Sequence, residues 1–141
     1  IIHQYVDTNN TAWHAGRVNK KSIGVDFSNA YYMKYASYYK KKGLGARPVC
    51  KDSVVHGVRL KPHLGYYKVQ IEAYKKLIKL LCNHYDIELD VPRTKEGGLY
   101  TGVVKEVARG SYDGVVCHYH ITRGKIDCAG LDLTAIIDEL N

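Results

Sequence analysis

His118 and Asp127 stand nine positions apart in the stretch CHYHITRGKIDCAG, residues 117–130, which also holds His120, Lys125, Cys117 and Cys128. A neutral imidazole and a carboxylate are both good ligands for Zn²⁺, and a catalytic zinc keeps three protein ligands beside an open position for water. With Gly124 in the intervening loop, the two side chains can fold toward one point and supply two of those three ligands. The spacing alone leaves three readings open: a metal site, a disulfide-bonded loop between Cys117 and Cys128, and an ordinary polar turn after a strand. His120 alternates with His118 along the strand-like DGVVCHYHI (113–121), so it is expected on the opposite face and outside any ligand set. Far upstream, SIGVDF (22–27) alternates Ile23, Val25 and Phe27 with smaller or polar residues, which sets Asp26 on the face where a sheet can present a carboxylate.

The elements that must carry these residues are unevenly legible. IIHQYVD (1–7) is β-branched and aromatic and reads as a strand, as do 22–27 and 113–121. Ile71, Tyr74, Ile78, Leu81 and Tyr85 recur at helical spacing between Lys68 and Tyr85, with Glu72, Lys75, Lys76 and Lys79 on the other side. VVKEVARG is a weaker helical stretch, and Asp132 is placed to cap a last helix that buries Leu133, Ile136, Ile137 and Leu140. From Asn29 to Tyr67 the chain mixes Tyr, Lys, Gly and Pro and reads as a long surface excursion. Its Tyr/Lys segment 31–42 is either a solvated basic loop or a platform for sugars or peptide stems.

At 141 residues without a repeat or a dividing linker, one domain over 1–141 is expected, large enough to bury a core without staples. No apolar run approaches the roughly 18 residues that span a bilayer, so no stable membrane insertion is expected. The net charge of +7 favours an anionic partner without choosing among nucleic acid, membrane surface and wall polymer. Thirteen tyrosines against one phenylalanine suit polar, ring-containing ligands. No nucleic-acid motif accompanies the charge, so nucleic acid is not expected as the partner. The four cysteines show no C-x-x-C spacing and are read as mostly reduced. His56, His63 and His84 have no partner pattern.

Taken in order, TAWHAG (11–16), SIGVD (22–26) and HYHITRGKID (118–127) resemble the motifs of the zinc-dependent N-acetylmuramoyl-L-alanine amidases of the amidase type 2 family. That family includes phage endolysins, bacterial wall-recycling amidases and peptidoglycan recognition proteins. QYV (4–6) resembles the strand that precedes its A-W-H-A-G segment, and the stretch from Ala30 to Pro62 is the least shared part. The resemblance implies an α/β fold, with a central mixed β-sheet flanked by α-helices, and Zn²⁺ as cofactor. It implies hydrolysis of the bond between the lactyl group of N-acetylmuramic acid and L-alanine, and action at the bacterial cell wall, reached by secretion or a phage lysis system. By the same resemblance His118 and Asp127 are zinc ligands, Lys125 polarises the scissile carbonyl and stabilises the oxyanion, and Asp26 assists the zinc-bound water. Trp13 and His14 line the substrate cleft. The Tyr-rich insertion favours a lytic enzyme such as an endolysin over a recycling enzyme. A peptidoglycan-binding module without catalysis is the rival expectation.

Three departures from the family pattern bear on this. The loop from His118 to Asp127 is one residue shorter than in the Asp-type members, and Cys128 replaces the usual Pro, which makes Cys128 a rival ligand. Asp26 stands where many members have Glu. The family's first zinc histidine lies on a strand upstream of QYV, so the third ligand is expected before Ile1 and the domain is expected to be incomplete at its N-terminus. His3 lies in the strand that follows and does not replace it. Cys117 and Cys128 are expected to be reduced, because a bridge would constrain the loop that has to hold the metal.

Overall fold

The computed structural model describes residues 1–141. The longest element is helix α2, Lys68–Tyr85, whose 3.6-residue period puts Tyr74, Ile78 and Cys82 on the buried side. Its first turn is closed by Gln70, whose side-chain oxygen accepts from the Tyr67 N–H at 3.1 Å. It ends where Asp86 turns left-handed and returns its N–H to the Cys82 carbonyl. Helix α5, Leu133–Leu140, starts at Asp132, whose carboxylate accepts from the Ala135 N–H at 3.0 Å. Leu133 and Ile137 are fully buried there, each worth roughly 1.5–3 kcal/mol of apolar transfer. Lys75 of α2 ties the two helices together by pairing with Glu139 of α5 while holding Glu72 at 3.0 Å. The core gathers α2 and α5 around Val91, Cys117, Tyr119, Ala129 and Leu131.

Between residues 29 and 67 the chain is more ordered than a surface excursion. It contains helix α1 (Ala36–Lys41) and four two-residue strands: β1 (Val49–Cys50), β2 (Val54–Val55), β3 (Val58–Arg59) and β4 (His63–Leu64). β1 pairs antiparallel with β4, aligning Cys50 with His63, and β2 pairs with β3 across His56 and Gly57. Both turn residues have positive φ, 53° and 76°, the backbone that a two-residue hairpin turn of the I′ kind requires. Arg47 is the pin of this region. It is buried, it donates to the Gly65 carbonyl through Nε at 3.1 Å, and its guanidinium lies 4.6 Å from the Tyr39 ring centroid and 5.2 Å from that of Tyr67.

The mixed α/β class holds, but strand pairing is confined to these two small antiparallel pairs. The central mixed sheet is not formed: residues 1–7, 22–27 and 113–117 carry no ladder, and His118–Ile121 is a helical turn, α4. Alternation describes which way side chains face; a strand also needs a neighbour for its backbone groups. Here the backbone finds other partners. The Val115 N–H goes to the Asp90 carbonyl at 2.8 Å, and the His120 ring captures the Cys117 N–H at 3.0 Å, which turns the chain into α4 instead of extending it. A short helix α3, Lys105–Arg109, realises the weak helical stretch and packs against α4. No helix is long and apolar enough to cross a membrane.

The buried titratable groups set a pH window for stability. Burial holds the Tyr66 hydroxyl up at about 12 and raises Tyr74 and Tyr119 further. Unfolded tyrosines ionise near 10, so above that pH the unfolded chain gives up protons that the native chain keeps, and stability falls as pH rises. The loss reaches about 1.4 kcal/mol per pH unit for each such tyrosine. Burial lowers the pKa of His120, so the native state refuses a proton that the unfolded state takes up near pH 6.5. That contribution is lost as pH falls below about 6.5. Burial also raises the free thiols Cys50 and Cys82, so thermal midpoints measured from pH 5 to 11 are expected to be highest between about 7 and 8.5, to fall gently above that and to fall more steeply above about 10, with a separate drop on the acid side. A midpoint still rising above pH 10 would contradict the tyrosine assignment.

Candidate active site

A cleft of about 870 Å³ opens on one side of the core, with His14, Asp26, Tyr31, Tyr66, His118 and Asp127 among the residues on its wall. His118 opens α4, and Asp127 lies on the loop that follows. His118 Nδ1 and Asp127 Oδ2 are 2.7 Å apart, so the two expected metal donors converge on one point. The His118 side chain is 24% exposed and that of Asp127 62%, which leaves the pair reachable from the cleft.

Cys117 and Cys128 are joined in a disulfide, against the expectation that they are reduced. Their Cα atoms are 5.7 Å apart, inside the range a disulfide spans. The expectation treated the bridge and the donor pair as competitors. In the structure the bridge lies just outside the pair, joining the residue before His118 to the residue after Asp127, and so closes the loop instead of distorting it. The bridged Cys128 sulfur is no longer a thiolate, which removes it from the ligand set. Closing a loop of about this size contributes roughly 2–4 kcal/mol to stability. Cys50 and Cys82 remain free thiols.

His120 is fully buried and both of its ring nitrogens are used: Nδ1 accepts from the Cys117 N–H, and Nε2 donates to the Tyr100 carbonyl at 2.6 Å. It positions its neighbour and has no lone pair left for a metal. Asp26 is exposed on the cleft wall and makes no hydrogen bond or ion pair, so its carboxylate is free. The His14 ring is held between the Ala12 carbonyl at 3.0 Å and the Ser22 hydroxyl at 2.9 Å. It is packed so close to Gly24 that a Cβ there would sit 2.7 Å from the ring, so only glycine fits. Trp13 is not brought into the cleft; it is 93% exposed. Lys125 is also outside the cleft wall, on the exposed loop, where its carbonyl accepts from His56 Nε2 at 3.0 Å and its ammonium has no partner.

Sequence reasoning missed Tyr66. Its ring packs edge-on against Phe27 at 4.9 Å on the cleft wall. Burial first, then the charges of Cys50, Asp127 and Asp26, pushes its hydroxyl up to about 12, so it stays a protonated donor at neutral pH. The tyrosine excess was the only signal for it, because its partners lie tens of residues away in sequence.

The family model for N-acetylmuramoyl-L-alanine amidases matches residues 1–128, a span that includes both members of the His118/Asp127 pair. The chain belongs to the N-acetylmuramoyl-L-alanine amidase family. No curated protein and no solved structure matches it. Membership supports a peptidoglycan amidase, a hydrolase that acts at the cell wall, and the order of motifs in this amidase then acquires a geometry: TAWHAG gives the cleft His14, SIGVD gives Asp26, and HYHITRGKID gives the donor pair. The amidase pair fits zinc in donor type, an imidazole nitrogen and a carboxylate oxygen. It falls short in donor number, since no third His, Cys, Asp or Glu gathers with it.

Proposed function

We propose that this amidase is zinc-dependent and cleaves the amide between the lactyl group of N-acetylmuramic acid and L-alanine in peptidoglycan. The observation that carries the reading is the His118/Asp127 pair, 2.7 Å apart on the wall of a large cleft in a chain of this family. A zinc ion held by that pair would lower the pKa of a bound water toward 7 and polarise the scissile carbonyl. Asp26, unpaired and facing the same cleft, accepts the proton of the attacking water and returns it to the departing L-alanine nitrogen. Lys125 lies outside the cleft wall, two residues from Asp127, and its unpaired ammonium would have to swing on its long stem toward the pair to meet the negative charge that develops on the carbonyl oxygen. The protonated Tyr66 hydroxyl donates to a substrate acceptor in the cleft, and Trp13 offers a stacking face from outside it. The net charge of +7 draws the protein to a wall whose peptide stems and attached polymers are anionic. Tyr32, Tyr35 and Tyr38 are exposed, with Lys34 and Lys42 over their rings, and suit a wall-facing platform of a lytic enzyme such as an endolysin.

A non-catalytic peptidoglycan-binding module is the second reading, and the donor count favours it: only two protein donors converge. Substitutions at Asp26 separate the two readings. As an exposed residue without partners, Asp26 tolerates Asn with a stability change inside about 0.5 kcal/mol. As the general base, Asp26→Asn is expected to lose about 10²–10⁴ in turnover, whereas Asp26→Glu, the side chain common in the family, retains activity. Release of new alanine amino termini from purified peptidoglycan is the readout. Full turnover by the Asn variant would take Asp26 out of the mechanism, and no turnover by the wild-type gene product with zinc supplied would favour the binding module.

A further inference from the structure

The disulfide and the donor pair are arranged as nested brackets. Cys117 immediately precedes His118, and Cys128 immediately follows Asp127. Apart from the bridge, the loop before the second donor is held to the rest of the fold by the His56 ring, which donates to the Lys125 carbonyl at 3.0 Å two residues before Asp127. The α4 turn is only four residues long, too short to be stable by itself. Residues 122–127 are all exposed, and the Asp127 backbone is tied across the loop by one long hydrogen bond, from the Tyr119 N–H to its carbonyl at 3.3 Å. Cys117, by contrast, is 2% exposed and belongs to the core. The bridge therefore runs from the buried core to the residue beside Asp127.

We propose that the Cys117–Cys128 bridge is the positioning element of the His118/Asp127 pair, and that the redox state of these two cysteines sets whether the pair is assembled. The consequence for metal affinity rests on the reading of that pair as the zinc site. Formation of the bridge removes two electrons and two protons from the thiols and passes them to a disulfide oxidant of an oxidising compartment. Opening it needs a dithiol reductant. Cys128 is half-buried where Cys117 is buried, and both residues line the cleft, so the reductant thiolate attacks Cys128 Sγ, the bridge breaks, and Cys117 leaves as a thiolate and is protonated. The second thiol of the reductant then resolves the mixed disulfide and frees Cys128. A protein made under reducing conditions would carry an open loop, and the same protein outside the cell membrane, where its wall substrate lies, would carry the assembled pair.

The test uses the gene product purified without reductant. Thiol titration in denaturant is expected to find two free thiols, Cys50 and Cys82, and four after reduction. Hydrogen exchange at residues 118–127 is expected to speed up at least tenfold on reduction and in the Cys117→Ser/Cys128→Ser variant, with α2 and α5 unchanged. Zinc affinity, read by competition with a chelating dye, is expected to fall at least tenfold in both and to recover on reoxidation of the wild type alone. Four free thiols at the outset, unchanged exchange in the loop, or tighter zinc binding after reduction would each overturn the proposal. Faster loop exchange with no zinc bound in any form supports the positioning role and removes the zinc reading. If the double variant also loses protection in α2 and α5, the reduced wild type against its own reoxidised form carries the same comparison.

Discussion

His118→Ala, and separately Asp127→Ala, is expected to cut peptidoglycan turnover by about a thousandfold or more, since bound zinc supplies several kcal/mol of transition-state stabilisation and each tenfold costs about 1.4 kcal/mol. The fold is expected to survive. Asp127 is exposed and His118 half-buried, and neither side chain has a partner beyond the other, so truncating either leaves no buried group unsatisfied. Zinc content is the companion measurement, with about one ion per chain in the wild-type gene product and a fraction of that in either variant. The two substitutions should also be non-additive, because each alone already dismantles the same site. Wild-type turnover in either variant, with the fold intact, would leave His118 and Asp127 as no more than a hydrogen-bonded pair at a loop.

Lys125→Ala is expected to behave differently, keeping the metal while losing about 10²–10³ in kcat, the usual cost of one oxyanion donor. The ammonium is exposed and unpaired, so stability should stay within about 0.5 kcal/mol of wild type. A cation that acts on charge present only in the transition state lowers kcat and kcat/KM together and leaves KM nearly unchanged. Lys125→Arg is expected to recover little, since a planar guanidinium does not reproduce a compact ammonium. Equal kcat in the Ala variant, with equal zinc content, would make Lys125 a turn residue.

The helices were readable because their evidence is local. The spacing of Tyr74 and Ile78 predicts the buried side of α2, and Asp132 ahead of Leu133, Ile136 and Ile137 predicts α5 with its cap. The strand expectations at 22–27 and 113–121 failed because alternation carries no information about which backbone lies alongside, and Ile23 and Val25 end up exposed. At 113–121 the decisive contact is the His120 ring on the Cys117 N–H, a side-chain competitor that no hydropathy pattern registers. The approach of His118 to Asp127 was one of three readings that residue type and spacing left open, favoured by the order of the motifs, whereas the bridge between their neighbours was expected to be absent, because spacing does not report redox state. Arg47 and Tyr66 were invisible for a third reason: Arg47 is defined by Tyr39, Gly65 and Tyr67, and Tyr66 by Phe27 and two distant carboxylates.

The central claim is that this member of the amidase family cuts one particular bond, and the products of digestion test it directly. Purified peptidoglycan incubated with the gene product and zinc, then examined by amino-terminal labelling and mass spectrometry, is expected to release peptide stems that begin with a free L-alanine amine, while the glycan strands keep intact lactyl acids and gain no reducing ends. New reducing ends, free amines on residues other than L-alanine, or an undigested wall would contradict it.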